Sequence, residues 1–241
     1  MQDVFSFKPE TRYGCPPADH ILVNRYYIAG YSYYFRQAKW ALEIVDPDKS
    51  IMGDVQRLNN FRPDFRVPIR FRADLSDYRH SGFDRGHLIA SENMNDQTIQ
   101  NSETFLLSNM SPQTPDFNRQ KWRQLEHAVR KLDQTEDVLE TYVITGPIFD
   151  FSVPIRLIGE NDTNGIRIPV PSHFFKCILA EVKSGKLKMW AFEMENADLN
   201  ENLADYRVTT AYVEQRAGIF LWDKLTGPEV EKEKNRMRDM W

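Results

Sequence analysis

Cysteine is nearly absent from this chain. Cys15 and Cys177 are the two found in 241 residues, too few for a disulfide framework, and nothing in them demands an oxidising compartment. No Cys–His cluster with zinc-ligand spacing occurs, so a structural zinc is not expected. No apolar run approaches the ~18–20 residues of a membrane span, so no membrane partner is expected. The opening residues Met1–Glu10 lack both the basic start and the apolar core of a signal peptide, which makes an intracellular location the default. A periplasmic, secreted or mitochondrial one is the alternative if a leader has been removed. Surplus positive charge is missing too: the formal net charge is −4, which excludes a protein that coats a polyanion by bulk attraction.

One segment departs from that acidic balance. From Arg57 to Arg85 stand Arg57, Arg62, Arg66, Arg70, Arg72, Arg79 and Arg85, with no lysine and only Asp64, Asp74, Asp77 and Asp84 opposing them. A local basic groove in an acidic chain suits a protein that binds a polyanion and then releases it. Arg66, Arg70 and Arg72 individually read as salt-bridged surface residues. The segment ends in Asp84-Arg85-Gly86-His87. In an extended strand residues i and i+2 leave on one face, so Arg85 and His87 reach the same object. Arginine holds a phosphate bidentately and histidine takes a proton near neutral pH. On these four residues alone, a solvated surface turn with an idle histidine is the simpler account.

A second element shifts that balance. Phe105-Leu-Leu-Ser-Asn-Met-Ser-Pro-Gln-Thr-Pro115 leads into Asn118-Arg-Gln-Lys-Trp122-Arg-Gln-Leu-Glu126. Together with Asp84–His87, with Ile51–Arg57 and Asn60–Pro63 upstream, and with Tyr142–Pro147, Ile168–Lys176 and Arg216–Phe220 downstream, it resembles the DNA/RNA non-specific endonucleases. The matches keep a consistent order from about Tyr13 to Leu221, and their flavour is that of the endonuclease G branch.

The resemblance implies a magnesium-dependent endonuclease, with manganese as a substitute, acting on DNA and/or RNA. Its cleavage leaves 5′-phosphate and 3′-hydroxyl ends, with magnesium on Asn118 beside the departing 3′ oxygen. It implies His87 as general base and Asn118 as the sole protein ligand of the metal, in keeping with the oxygen preference and retained waters of magnesium. Arg57 and Arg85 match arginines at the scissile phosphate. Asn109 and Gln113 fit substrate or water positioning. Glu126 lies eight residues past Asn118, an axial rise of ~12 Å in a regular helix, so it is expected behind the metal, on its waters or on an arginine. Its plainer reading is a solvated helix charge. Trp122 reads as core. His20, His80, His127 and His173 are assigned no chemistry. Besides nucleic acid, a homodimer and a protein inhibitor are the candidate partners. Two rival readings stand: a catalytically silent nucleic-acid-binding protein, and a metal phosphodiesterase for a small diester.

Strands are expected at His20–Asn24, Tyr26–Phe35, Trp40–Val45, Phe83–Ala90, Leu139–Thr145, Gly165–Pro169, Phe174–Val182 and Leu187–Met194, the last two joined as a hairpin. A proline-punctuated loop fills Asp46–Ser81. Helices are expected at Asn95–Thr104, Phe117–Leu132 and Asp205–Gly218, with a charged C-terminal helix or tail over Pro228–Trp241 and an N-terminal arm over residues 1–20. Hairpins with helices inserted in blocks indicate an α+β layout in one domain over residues 1–241. The resemblance implies a ββα-metal (His-Me finger) fold on a central, mostly antiparallel sheet flanked by helices.

Overall fold

The structure, a computed structural model, describes residues 8–46, 49, 53–159, 165 and 167–241. Met1–Phe7 of the arm, Pro47 after the third strand, Ile51 and Met52 of the upstream motif, and Ile166 of the Gly165–Pro169 strand lie outside the described residues.

In chain order the strands are β1 His20–Val23, β2 Tyr27–Ser32, β3 Gln37–Ile44, β4 Asp84–His87, β5 Met110–Gln113, β6 Val138–Ile148, β7 Leu157–Ile158, β8 Ile168–Pro169, β9 His173–Val182, β10 Leu187–Glu195 and β11 Arg207–Val208. The helices are α1 Leu75–Tyr78, α2 Thr98–Glu103, α3 Arg123–Asp133, α4 Thr210–Ala217 and α5 Pro228–Lys234. Seven strands form the main sheet in the order β1-β2-β3-β6-β9-β10-β11, and every pairing in it is antiparallel. The expected α+β layout is what the chain adopts.

Helices and irregular segments cover both faces of this sheet, which explains central strands that are apolar on both sides. On one face Ala41, Val143, Phe174 and Ile178 pack with Trp122, Leu125 and Val129 of the helix after β5. On the other, Trp40, Leu42, Ile144, Cys177 and Leu179 pack with Val213, Leu221 and Trp222. Trp122 is core, as expected. The first face carries the functional site, because β4, β5 and the long helix lie over it as a ββα unit.

Three helices differ from expectation. The first begins at Thr98 rather than Asn95, behind Gln97, whose side chain closes a capping box with Gln100. The helix expected from Phe117 opens as a wide π turn over Phe117–Trp122 before continuing as α3. The helix expected from Asp205 starts at Thr210, capped by the Thr209 side chain and ended by Gly218 at φ 64°. The residues in front of it are used instead as edge strand β11, paired to Ala191 and Phe192.

The charged C-terminus is a strap and not a free tail. Trp190 Nε1 donates to the Asp239 carbonyl, Trp241 Nε1 donates to the Ala128 carbonyl, and the two indoles meet edge to face at 5.5 Å. The N-terminal arm is held likewise, through Arg12 to Glu140 and Glu181 at 2.9 Å each.

Candidate active site

β4 is fixed from beneath by a fully buried amide. Asn109 Oδ1 accepts from the Ile89 backbone N–H at 3.0 Å, and its Nδ2 donates to the carbonyls of Ile89 and Thr104. The Asn109 backbone carbonyl takes the Leu88 N–H. Asn109 therefore has no polar atom left for a substrate; it clamps the segment that follows His87. Gln113 is buried too, its side chain lying against Gly86, where an added Cβ would stand 2.0 Å from Gln113 Oε1. The glycine in Asp84-Arg85-Gly86-His87 is there because the neighbouring strand's side chain occupies the space. The structure sets both residues behind the strand that carries His87, outside the lining of the cavity described below.

His87 sits at the end of β4, nearly buried between two phenylalanine rings. Its imidazole meets Phe105 edge-on at 5.0 Å and Phe61 at 5.8 Å. Each phenylalanine also carries one guanidinium, Arg57 5.1 Å from the Phe105 centroid and Arg85 4.1 Å from that of Phe61. The aromatic pair thus spaces two cations around one imidazole. Arg57 is further steered by hydrogen bonds to Ser91 Oγ and Asn59 Oδ1. Among the described residues neither arginine has a carboxylate partner, so both are free to meet an anion. Burial first, then the charges of Arg57 and Arg85, push the His87 imidazole down to about 3. It is a neutral proton acceptor at any physiological pH, more firmly so than an ordinary histidine. No hydrogen-bond partner is found for its buried Nε2 among the described residues.

Asn118 faces this group from the π turn. Its Nδ2 donates to Asp84 Oδ2 at 2.9 Å, which leaves the amide oxygen for the cavity. Asp84 is held in turn by the fork of Arg119, with both contacts at 2.8 Å. The wide turn also changes the face on which Glu126 stands. By absorbing one residue, it lets the eight-residue step from Asn118 cover the two turns that about seven span in a regular helix. The two side chains then lie on one face and line one cavity.

Beneath Glu126 the sheet carries charge inside an apolar face. Lys176 Nζ donates to Thr145 Oγ1 at 2.7 Å and lies 4.8 Å from the Trp122 ring centroid. Glu43 accepts from Asn93 Nδ2 at 2.9 Å, and Arg130 donates to Asn93 Oδ1. Burial raises the carboxyls of Glu43, to about 7, and of Glu126, while Lys176 and Arg130 oppose the shift. Burial lowers Lys176, against the pull of Glu126 and Glu43.

One cavity of about 480 Å³ is lined by Arg57, Arg85, His87, Asn118 and Glu126, together with Asp84 and Phe61. The structure brings those five expected residues together and leaves Asn109 and Gln113 behind them. Sequence reasoning gave no role to Phe61, Phe105, Lys176 or Glu43. The last two had a signal: each is a lone charge in an apolar strand, in Phe174-Phe-Lys-Cys-Ile and Ala41-Leu-Glu-Ile.

A basic cavity offering a neutral imidazole, two guanidiniums without a carboxylate partner among the described residues, and an amide oxygen is a site for a phosphodiester. The chain belongs to the DNA/RNA non-specific endonuclease family, whose profile matches residues 9–226. It is 32% identical to mitochondrial endonuclease G of Caenorhabditis elegans over 92% of this chain and 74% of that protein. Identity to the human mitochondrial endonuclease G is 33%, over 86% of this chain and 71% of that one. A nuclease of Syncephalastrum racemosum is 34% identical over 87% and 69%. The crystal structure of an EndoG/EndoGI complex, which addresses EndoG inhibition, superposes with a TM-score of 0.81 at 32% identity, covering 90% of this chain and 91% of that one. The fold is the expected ββα-metal fold, and the protein is a nucleic-acid-hydrolysing enzyme of a metal-dependent family. Among the described residues no helix is long and apolar enough to cross a membrane.

Proposed function

We propose that this enzyme is a magnesium-dependent endonuclease in which His87 is the general base and Asn118 the metal ligand. The observation that carries the reading is the convergence of His87, Asn118, Arg57, Arg85 and Glu126 on one cavity. The donor set suits a hard cation that keeps most of its waters: one amide oxygen oriented by Asp84, a carboxylate nearby, and, among the described residues, no cluster of three or more His, Cys, Asp or Glu. Such a cation supplies positive charge beside the scissile phosphate when bound.

The protein's own groups do the rest. Arg57 and Arg85 receive the phosphate oxygens, presented on their phenylalanine faces, and stabilise the added charge of a pentacoordinate phosphorus. The neutral His87 imidazole accepts a proton from the attacking water. Glu126 orders the cavity floor behind Asn118. The products are a 5′-phosphate and a 3′-hydroxyl. All five side chains come from one chain acting as one domain, so a homodimer is not required to complete the site. A protein inhibitor as partner is supported by the EndoG/EndoGI complex of the structural relative, and a mitochondrial location by the names of several relatives.

Digestion of matched DNA and RNA strands across a magnesium series tests this reading. The expected result is cleavage of internal bonds that a chelator abolishes, with 5′-phosphate termini. Undiminished cleavage in chelator, or 3′-phosphate termini, would overturn it.

A further inference from the structure

A second basic cavity, of about 530 Å³, is bordered by Arg79, His80, Ser81 and Arg156. The chain that leads into the catalytic strand connects the two cavities. Ser81 borders the second, Arg85 and His87 border the first, and Phe83 lies between them in the chain. The Arg156 guanidinium lies 4.8 Å from the Phe83 centroid, repeating the way Arg85 is carried by Phe61. Arg79 and Arg156 are exposed and, among the described residues, neither is ion-paired. The sole carboxylate lining this cavity among the described residues is Asp77, buried and accepting the Asp74 backbone N–H at 2.7 Å within a capping box. His80 holds a left-handed backbone at φ 59°, a conformation sparsely used by residues other than glycine and found disproportionately at binding sites.

Two arginines on a cavity with no accessible counter-carboxylate among the described residues repel each other unless an anion joins them. In a chain of net charge −4 such a pair is not a by-product of overall basicity. Ser81 and Arg85 are at most ~14 Å apart along the chain, so the two cavities lie within about four nucleotides of duplex rise at ~3.4 Å each. An enzyme that cuts within a polymer has backbone phosphates at that distance from the scissile bond.

We infer that the Arg79–Arg156 cavity is a phosphate subsite that holds the nucleic-acid backbone a few nucleotides from the bond being cut. The inference rests on the reading of the His87 cavity as the cutting centre. It assigns Arg79 and Arg156 to substrate binding and leaves turnover to the first cavity.

The test compares wild type with the double variant Arg79→Gln/Arg156→Gln, both metal-free, binding a 20-nucleotide strand over a range of salt. A dinucleotide with a single phosphodiester serves as the short probe, and with magnesium restored its cleavage reports the His87 centre separately. Thermal melting of both proteins shows that the exposed substitutions leave the fold intact. The expected result is weaker binding of the long strand, a salt slope smaller by about 1.4 at ~0.7 for each single-strand phosphate, and unchanged cleavage of the dinucleotide. An unchanged salt slope would overturn the subsite. So would equal losses on both probes, because the substitutions would then be acting through the cutting centre.

Discussion

Asp84 and Asn118, thirty-four positions apart, are joined by a hydrogen bond of 2.9 Å from the amide nitrogen to Oδ2. That bond decides which end of the Asn118 amide faces the cavity. An amide free to rotate would present a donor to a cation for part of the time. Replacing Asp84 by alanine is expected to weaken magnesium binding by roughly 10–100-fold, the usual cost of losing a ligand's orienting partner. Calorimetric titration of the metal checks this. An unchanged affinity would remove Asp84 from the account.

The depressed His87 imidazole has consequences for both rate and stability. Because burial and two arginines hold it near 3, the free enzyme keeps its base unprotonated through mild acid. Activity as kcat/KM is expected to show no break from this group between pH 7 and about pH 5; a break near the ordinary histidine value of 6.5 would contradict the environment described. Unfolding returns the ring to that ordinary value, so between 6.5 and about 3 the unfolded chain binds the extra proton. Stability should therefore fall as pH drops through this window, and His87→Gln should flatten the fall.

The charges under Glu126 predict opposite outcomes for two neighbours. Glu43 is held up to about 7 by burial, against an ordinary value of 4.5. The folded chain keeps that proton where the unfolded chain loses it, so stability should fall as pH rises from 4.5 through 7. Glu43→Gln keeps an acceptor for Asn93 and is expected to leave the protein at least as stable at pH 8. Lys176→Met strips Glu43 and Glu126 of their buried cation and should cost about 3–5 kcal/mol, as breaking a buried charge pair does. Denaturant melts of the two variants at pH 8 would expose an error if the order came out reversed.

Much of the site was legible because its residues sit close together in short motifs whose chemistry is specific. Arg85 and His87 share a strand and Asn118 and Glu126 share a helix, but it was the resemblance to the nuclease family, spread over several motifs, that pointed to them. What the sequence hides is long-range. Nothing in Asn109 distinguishes an amide that meets substrate from one spent on Ile89 and Thr104. The π turn at Phe117–Trp122 has the same apolar spacing as an ordinary helix, so nothing in the sequence marks the residue that the turn absorbs. The strands were readable from their aromatic and β-branched runs. The edge strand Arg207–Val208 was not, because two residues give no periodicity and only their pairing with β10 defines them.

If the His87 imidazole performs the proton transfer while the surrounding arginines hold the phosphate, losing the ring should cost turnover and spare binding. Turnover and metal-free affinity of His87→Ala, measured on one DNA substrate beside wild type, test it most directly. The expected result is a loss of about 10²–10⁴ in kcat, the usual worth of a general base, with affinity for the strand nearly unchanged. A variant that still cuts at the wild-type rate, or that loses binding as steeply as turnover, would contradict it.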